Sequence, residues 1–341
     1  MIRRLLLRVT VLAILATASG AQAATLEKPK VTIAVGGKAT LYYLPLTLAE
    51  RLGYFKEEGL DVDIVDFAGG AKALQAVMGG SADIVAGGYD HVIIMQARGQ
   101  KLQAFVQLVA TPSIALGVAT AHAASYRSPK DLKGWKIGVT APGSSTNIFL
   151  NHLLAGAGLQ PDDVSIIGVG TGPTAVAAMR SGQIDALVNV EPAITILERS
   201  GAMQVVVESM SEKGSRAVFG DLLPAGSLYT KQEFIKQNPN TVQALAGAMV
   251  RALKWLQKAG PEDVAKTIPP EYMLGDKTIY LAAFQRCREG YSKDGLISPS
   301  GAAALYKILR SFDPAVKEGP GVDLAQTYDN RFVARVVQRR P

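Results

Sequence analysis

Short apolar runs alternate with segments of helical periodicity through the first two thirds of the chain, and Gly or Pro separates them. Each apolar run spans five or six residues, and each helical segment about ten. Short apolar runs favour strands, and strands that are each followed by a helix are typical of parallel sheets covered on both faces. The predicted strands are 31–35, 62–67, 82–86, 136–140, 164–169 and 185–189.

The six predicted strands form two groups of three that follow the same plan. The residue order repeats as well, because 78–85 (Met-Gly-Gly-Ser-Ala-Asp-Ile-Val) parallels 179–188 (Met-Arg-Ser-Gly-Gln-Ile-Asp-Ala-Leu-Val) with two residues added. An Asp opens a strand after a helix end in both copies, a position that suits local turn bonding. The predicted fold class is therefore α/β, with two lobes built alike.

The pattern changes at Gly226, where a short strand at 227–230 precedes a series of amphipathic segments that Pro residues punctuate. One of these segments, 240–259, carries a single apolar stripe at helical spacing, formed by Val242, Leu245, Ala246, Met249, Leu253 and Leu256. The predicted helices are at about 231–238, 240–259, 261–268, 276–290, 299–312 and 329–339.

The most specific sequence motif of the chain lies at 43–67 and is Tyr-Leu-Pro-Leu-Thr-Leu-Ala-Glu-Arg-Leu-Gly-Tyr-Phe-Lys-Glu-Glu-Gly-Leu-Asp-Val-Asp-Ile-Val-Asp-Phe. It predicts a helix from near Pro45 that ends at Gly53, then a turn at Gly59 and an alternating strand from Asp61. This motif resembles the corresponding sequence of the solute-binding proteins of nitrate/sulfonate/taurine-type ABC transporters. That family is similar to the thiamine-pyrimidine-synthesis proteins.

The resemblance, which covers roughly 30–230, implies a type II periplasmic-binding-protein fold. In such a fold two α/β lobes are joined by a two-segment hinge, here with crossings expected near 111–119 and 218–228. It also implies that the C-terminal helices return to cover the first lobe. The predicted signal peptide is 1–23, and the first part of lobe 1 is 24–115. Lobe 2 is predicted at 116–222, and the chain then returns to lobe 1 and forms the C-terminal helices at 223–341.

The N-terminus has the layout of a secretory signal peptide. Three Arg residues precede or flank an apolar run at 9–18, and Ala21-Gln22-Ala23 supplies small residues for cleavage near Ala23. The apolar run is shorter than the ~20 residues that span a bilayer. We therefore expect export to the periplasm, by either the general or the twin-arginine route.

Composition narrows the possible partners. The chain carries 36 Lys and Arg against 29 Asp and Glu, a formal net charge of +7 that falls to +4 without the three signal-peptide Arg. The basic residues are dispersed, which argues against binding of nucleic acid. The single Cys, Cys287, excludes an intramolecular disulfide and suits a small core residue.

Signatures of enzymes and cofactors are missing from the sequence. The chain has no Gly-x-Ser-x-Gly elbow and no phosphate-binding Gly-x-x-x-x-Gly-Lys loop. Its three His residues lack the spacing of a metal site. The pyrimidine-forming relatives that consume their own His also need a Cys-rich motif, and this chain has one Cys. We expect no enzyme activity, no metal and no cofactor.

The candidate binding residues of the second lobe follow predicted strands, where ligands bind in open α/β sheets. Gly143 permits a tight turn before a run of hydroxyl and amide side chains at a helix start. Unpaired N–H groups and the helix dipole attract an anion there. The alternative is that these side chains only cap their helices. The candidates are Ser144, Ser145, Thr146, Asn147, Thr171 and Thr174.

In the first lobe, Gly pairs would allow a ligand to approach the backbone closely. Tyr side chains can wall a polar cavity or pack half-buried. Lys38 can face the ligand or be solvated, and Asp90 can contact the ligand or cap its helix. The candidates here are Gly37, Lys38, Tyr42, Tyr43, Gly70, Gly88, Tyr89 and Asp90.

Glu191 follows an apolar strand and precedes Pro192, so we expect it at the carboxyl end of that strand, facing the cleft. A carboxylate there repels a purely anionic solute but suits one that carries N–H or ammonium donors. The alternative is a salt bridge to Arg or Lys across the lobe.

The predicted function is that of the periplasmic substrate-binding component of an ABC importer of the nitrate/sulfonate/taurine type. A small polar solute, anionic or zwitterionic, would bind between the lobes. The partners would be this solute and an inner-membrane ABC permease with its ATPase, and we expect a monomer. The alternative is a pyrimidine-precursor-related binding protein or enzyme on the same fold. A sulfonate, taurine, nitrate, an aminopyrimidine and an aromatic acid all remain open as the solute.

Overall fold

A computed structural model of the protein describes residues 25–338, so the predicted signal peptide lies outside the described residues. The strands of the described part are β1 (Lys30–Val35), β2 (Asp61–Asp66), β3 (Ile84–Gly88), β4 (Leu102–Gln107), β5 (Ile114–Ala119), β6 (Lys136–Val139), β7 (Ser165–Gly168), β8 (Ala186–Val190), β9 (Met203–Glu208) and β10 (Gly226–Lys231).

Helices connect the strands and fill the C-terminal third, and several of them begin at Pro, which suits the first helical position. They are α1 (Leu44–Arg51), α2 (Tyr54–Glu57), α3 (Gly70–Met78), α4 (Tyr89–Ala97), α5 (Thr120–Ala123), α6 (Ser145–Gly156), α7 (Pro173–Arg180), α8 (Ala193–Arg199), α9 (Glu212–Phe219), α10 (Gln232–Gln237), α11 (Pro239–Lys258), α12 (Pro261–Thr267), α13 (Lys277–Cys287), α14 (Pro299–Phe312), α15 (Pro314–Glu318) and α16 (Arg331–Gln338).

Two five-stranded sheets of the same topology form the cores of two lobes. Their strand orders are β2-β1-β3-β10-β4 in the first lobe and β7-β6-β8-β5-β9 in the second. β1 pairs in parallel with β2 and β3, and β6 pairs in parallel with β7 and β8. The six predicted strands and the short strand before the helical tail are therefore confirmed, each to within two residues at its ends.

Each sheet also contains an antiparallel strand whose two neighbours in the sheet are far from it in sequence. β10 lies between β3 and β4 and is antiparallel to both, and β5 lies in the same way between β8 and β9. The sequence predicted parallel sheets and missed β4, β5 and β9. The reason is that these strands pair through a neighbour far away in sequence, which local periodicity does not reveal.

The chain crosses between the lobes twice, after β4 and after β9, and the two crossings are bonded to each other. The amide of Ala225 donates to the carbonyl of Val109 (3.1 Å), and that of Ser113 donates to the carbonyl of Ser209 (3.0 Å). The hinge is therefore a pair of hydrogen-bonded segments rather than two independent linkers.

The C-terminal helices cover the first lobe, and two of them reach the second. α11 packs on α1, α2, α16 and β4, and its predicted apolar stripe is buried. Each Val, Leu or Met of this stripe contributes about 1.5–3 kcal/mol of burial free energy. α13 contacts α8, and α14 contacts both α4 and α6. Between residues 25 and 338, no helix has the length and apolar content that a bilayer crossing requires.

Candidate functional site

The carboxyl ends of the parallel strands of both lobes face one cleft, and helices begin at its walls. A cavity with about 340 Å³ of empty space, part of which is open to solvent, lies there, close to the first residues of α3 and α6. We call it the polar cavity. Predicted site residues that line it are Tyr42, Tyr43, Gly70, Ser144, Ser145, Thr146 and Thr171. Residues that sequence reasoning missed are Gly36, Ile114, Thr140 and Val190. Gly36 directly follows the predicted strand 31–35, and Thr140 is the last residue of the predicted strand 136–140.

Two serines at the start of α6 bond to the opposite lobe. The Ser144 hydroxyl accepts a hydrogen bond from the amide of Ala71 in the first turn of α3 (3.0 Å). The Ser145 hydroxyl donates to Oδ1 of Asp90, in the first turn of α4 (2.9 Å). Ser144 makes no side-chain capping bond to its own helix. These hydroxyls therefore hold two lobes together at the cavity instead of capping α6.

The next two residues of this segment stabilise their own loop. The Thr146 hydroxyl accepts from the amide of Thr140 (3.1 Å), and Oδ1 of Asn147 accepts from the amide of Gly143 (2.9 Å). Thr146 still lines the polar cavity, whereas Asn147 does not. These bonds fix the position of the two serines, which makes the first turn of α6 a rigid wall.

Tyr residues form the opposite wall and keep their protons. Burial, and then the negative charge of Asp90, raise the pKa of Tyr43. Burial raises the pKa of Tyr42 as well, with smaller contributions from Tyr43 and Asp90. Protonated phenols can donate a hydrogen bond to an acceptor in the cavity. Behind them, Nδ1 of the buried His91 lies 3.0 Å from the Tyr229 hydroxyl. The other ring nitrogen, Nε2, is buried and has no hydrogen-bond partner among the described residues.

Cationic side chains are absent from the described lining of the polar cavity. Nζ of Lys38 is bonded to Glu50 (2.9 Å), and Asp66 accepts from the backbone amides of Gly37 and Lys38 (2.8 Å each). Polar groups that can hold a solute here are therefore hydroxyls and the N–H groups at helix starts. Such groups bind an anion or a zwitterion without a formal positive charge.

Glu191 lies at the end of β8, as predicted, but its carboxylate is buried and engaged by this protein's own groups. It accepts from the amide of Thr195 (2.9 Å) and from the hydroxyl of the same residue (2.7 Å). Nη1 of Arg286 lies 3.5 Å from Oε1 of Glu191 and 2.6 Å from Glu198. Burial raises the pKa of Glu191, and Arg286 opposes this rise. The salt bridge considered as the alternative is thus present.

The structure corrects the position of three other predicted residues. Tyr89 is fully buried in the first lobe, and its hydroxyl bonds to Thr327 instead of facing the cleft. Thr174 bonds to the carbonyl of Thr171 at the exposed start of α7. Gly37 packs against Thr171, and a Cβ at this position would touch that side chain. Being next to the cleft in sequence does not place a side chain in the cavity, because helix geometry turns successive residues to different sides.

Gly88 allows the start of α6 to approach the first lobe closely. A Cβ at this position would overlap both the Ser145 hydroxyl and the Asp90 carboxylate. We expect Gly88→Ala to favour the open form and to weaken solute binding by about tenfold or more, because the apparent affinity falls with the population of the closed state. Calorimetry with a solute that stabilises the unmodified protein measures this effect. An unchanged affinity would show that the clash is absorbed by side-chain rotation.

Two α/β lobes that enclose a cavity between helix starts define the periplasmic-binding-protein fold. The alkanesulfonate-binding protein SsuA from Xanthomonas axonopodis pv. citri, solved with bound MOPS, shares this fold. It has a TM-score of 0.68 and 21% identity, and the alignment covers 90% of this chain and 100% of that one. Residues 40–263 match the NMT1/THI5-like family, and the chain belongs to it.

Two other relatives cover most of the chain. A protein from Bordetella bronchiseptica RB50 of solved structure is 51% identical, with a TM-score of 0.89, over 92% of this chain and 99% of that one. The 4-amino-5-hydroxymethyl-2-methylpyrimidine phosphate synthase of Schizosaccharomyces pombe is 27% identical over 270 residues, which are 78% of this chain and 76% of that protein. The family therefore contains proteins named for synthesis, and its fold is shared with proteins named for binding.

Proposed function

We propose that the protein is the substrate-binding component of an ABC importer of the nitrate/sulfonate/taurine type. It captures a small polar solute, anionic or zwitterionic, in the polar cavity between its lobes. The solute-loaded protein then delivers its cargo to an inner-membrane permease, whose ATPase supplies the energy. The predicted signal peptide at 1–23 would place the mature protein in the periplasm.

The contacts of Ser144 and Ser145 with the opposite lobe carry this proposal. They join the start of α6 to the starts of α3 and α4 around a cavity, so a solute held there contacts both lobes. A solute that binds two lobes favours the closed form over the open one, which gives a permease two distinguishable states. The dispersed charge of the chain is compatible with a soluble carrier.

Thermal-shift screening of the mature protein tests the proposal. The solutes are taurine, alkanesulfonates, nitrate, aminopyrimidines and aromatic acids, and a bound solute raises the midpoint by mass action. We expect calorimetry on each hit to give one site per chain, with the solute recovered unchanged. A midpoint that no solute raises, or consumption of the solute, would contradict the proposal.

Ser145→Val is expected to weaken solute binding by about tenfold or more, because the valine cannot bond to Asp90 and leaves this buried carboxylate with one partner fewer. Calorimetry with a screening hit measures the effect. Ser165→Val is the matched control, since Ser165 is exposed at the start of β7 and lines neither the polar cavity nor the one beside it. Equal affinities of the two variants would remove Ser145 from the site.

A pyrimidine-forming enzyme on the same fold is the second candidate, favoured by the likeness to the Schizosaccharomyces pombe synthase. The polar cavity argues for the receptor, because its described lining contains neither His nor Cys. Product analysis after incubation of the mature protein with an aminopyrimidine separates the two. A new product would favour the enzyme, and stoichiometric binding without one would favour the receptor.

A further inference from the structure

A second cavity adjoins the polar cavity, and Tyr42, Ile114 and Ser145 line both. It encloses about 440 Å³ of empty space, part of which is open to solvent. It lies between α6 of the second lobe and α14 of the C-terminal region, and residues of both crossings also line it. We call it the apolar cavity.

Aromatic rings form much of the wall of the apolar cavity. His152 stacks on Phe219 with ring centroids 5.0 Å apart, and Phe149 meets Phe219 edge-on at 5.7 Å. Phe312, at the end of α14, lies 6.1 Å from His152. Burial lowers the pKa of His152, so its ring is neutral at neutral pH. A planar ring inserted here would find both stacking and edge contacts.

The charges that line the apolar cavity limit which chemical groups of a solute can bind there. Of the described residues that line the apolar cavity, Asp90 is the only Asp or Glu and none is Lys or Arg, and Asp90 lies where this cavity meets Ser145. A charged group would lose its hydration in the aromatic part without gaining a partner, which is costly. An apolar group would gain free energy in proportion to its buried area.

We propose that the apolar cavity receives a ring-sized, uncharged part of the same solute whose polar end lies in the polar cavity. This inference rests on the proposed function and narrows the solute to an aromatic acid, either a sulfonate or a carboxylate. Because the wall comes from α6 on one side and α14 on the other, a bound ring would also contact both moving parts of the molecule. The polar end would fix orientation and the ring would supply most of the discrimination among solutes.

Matched pairs of probes with the same polar end test this inference. The pairs are methanesulfonate with benzenesulfonate, and acetate with benzoate, titrated into the mature protein by calorimetry. We expect the ring-bearing member of at least one pair to bind more tightly by about tenfold or more. Equal affinities within each pair would overturn the inference while the proposed function stands. If none of the four probes binds and taurine or nitrate does, the inference also fails and the proposed function survives. If no solute of any kind binds, both fail.

Ile308→Trp is the variant that fills the apolar cavity, because this half-buried residue of α14 lies in its wall. We expect the preference for the ring-bearing probe to disappear while binding of the small probe persists. Ile196→Trp on α8 is the matched control, half-buried but outside both cavities. If Ile308→Trp lowers the thermal midpoint, Ile148→Phe on α6 provides the same test from the opposite wall. A ring preference that survives cavity filling would overturn the inference.

Discussion

We expect Arg286→Met to lower the free energy of unfolding by about 3 kcal/mol at neutral pH, because it leaves a buried carboxylate without its cation. Glu191 is 2% exposed, and Arg286 joins it from α13, nearly a hundred residues later in the chain. Urea denaturation measures the change. Glu198→Gln is the matched control: its carboxylate also pairs with Arg286 but is 40% exposed, so its loss should cost under about 1 kcal/mol.

The effect of Arg286→Met should shrink as the pH falls. Burial already raises the pKa of Glu191, and Arg286 opposes that rise, so the variant raises it further. Between the ordinary value and the raised one, the folded state then binds more protons than the unfolded state, and stability falls as pH increases. Below both values the carboxyl is neutral in both states and the penalty vanishes. A deficit that is equal at about pH 7 and about pH 4 would contradict this account.

Gly36→Ala is expected to destabilise the protein by about 3 kcal/mol, near the upper end of what overpacking usually costs. A Cβ at Gly36 would overlap the backbone of Gly69 and Gly70, which cannot rotate away as a side chain can. Because Gly36 and Gly70 both line the polar cavity, the backbone shift should also weaken solute binding. Urea denaturation and calorimetry measure the two effects.

Gly156→Ala is the control for Gly36→Ala. Gly156 is the last residue of α6, and a Cβ there meets no other atom within 4 Å. This variant should be as stable as the unmodified protein, or up to about 1 kcal/mol more stable, because Ala restricts the unfolded chain more than Gly does. Similar losses in both variants would show that the close approach at Gly36 is not the cause.

Much of the fold could be predicted because its signals are local. Each parallel strand is a short apolar run before a Gly or Pro, and the stripe of α11 from Val242 to Leu256 repeats at helical spacing and is buried. The helix from Pro45 ends before Gly53, which takes the left-handed conformation (φ 77°) that Gly adopts easily. The place of β10 in its sheet differs, since the return of the chain to the first lobe sets its neighbours.

The site was less predictable, because contacts between lobes decide what each residue does. The position of Ser144 at a helix start was visible in the sequence, but its bond to α3 of the other lobe was not. Glu191 was placed at the right strand end, yet its partner Arg286 lies in the helical tail, where no motif marks it. Phe312 has the appearance of an ordinary helix core residue until α14 is placed against α6.

Because β10 returns to the first sheet, that sheet is encoded by two separate stretches of sequence, whereas the second sheet, β5 to β9, is continuous. A fragment that stopped at the first crossing would lack the strand that separates β3 from β4, and both would keep unpaired backbone groups on their inner edges. Synthesis must reach residue 231 before the first sheet can be completed. The folding of the first lobe therefore depends on β10, which is synthesised more than a hundred residues after β4.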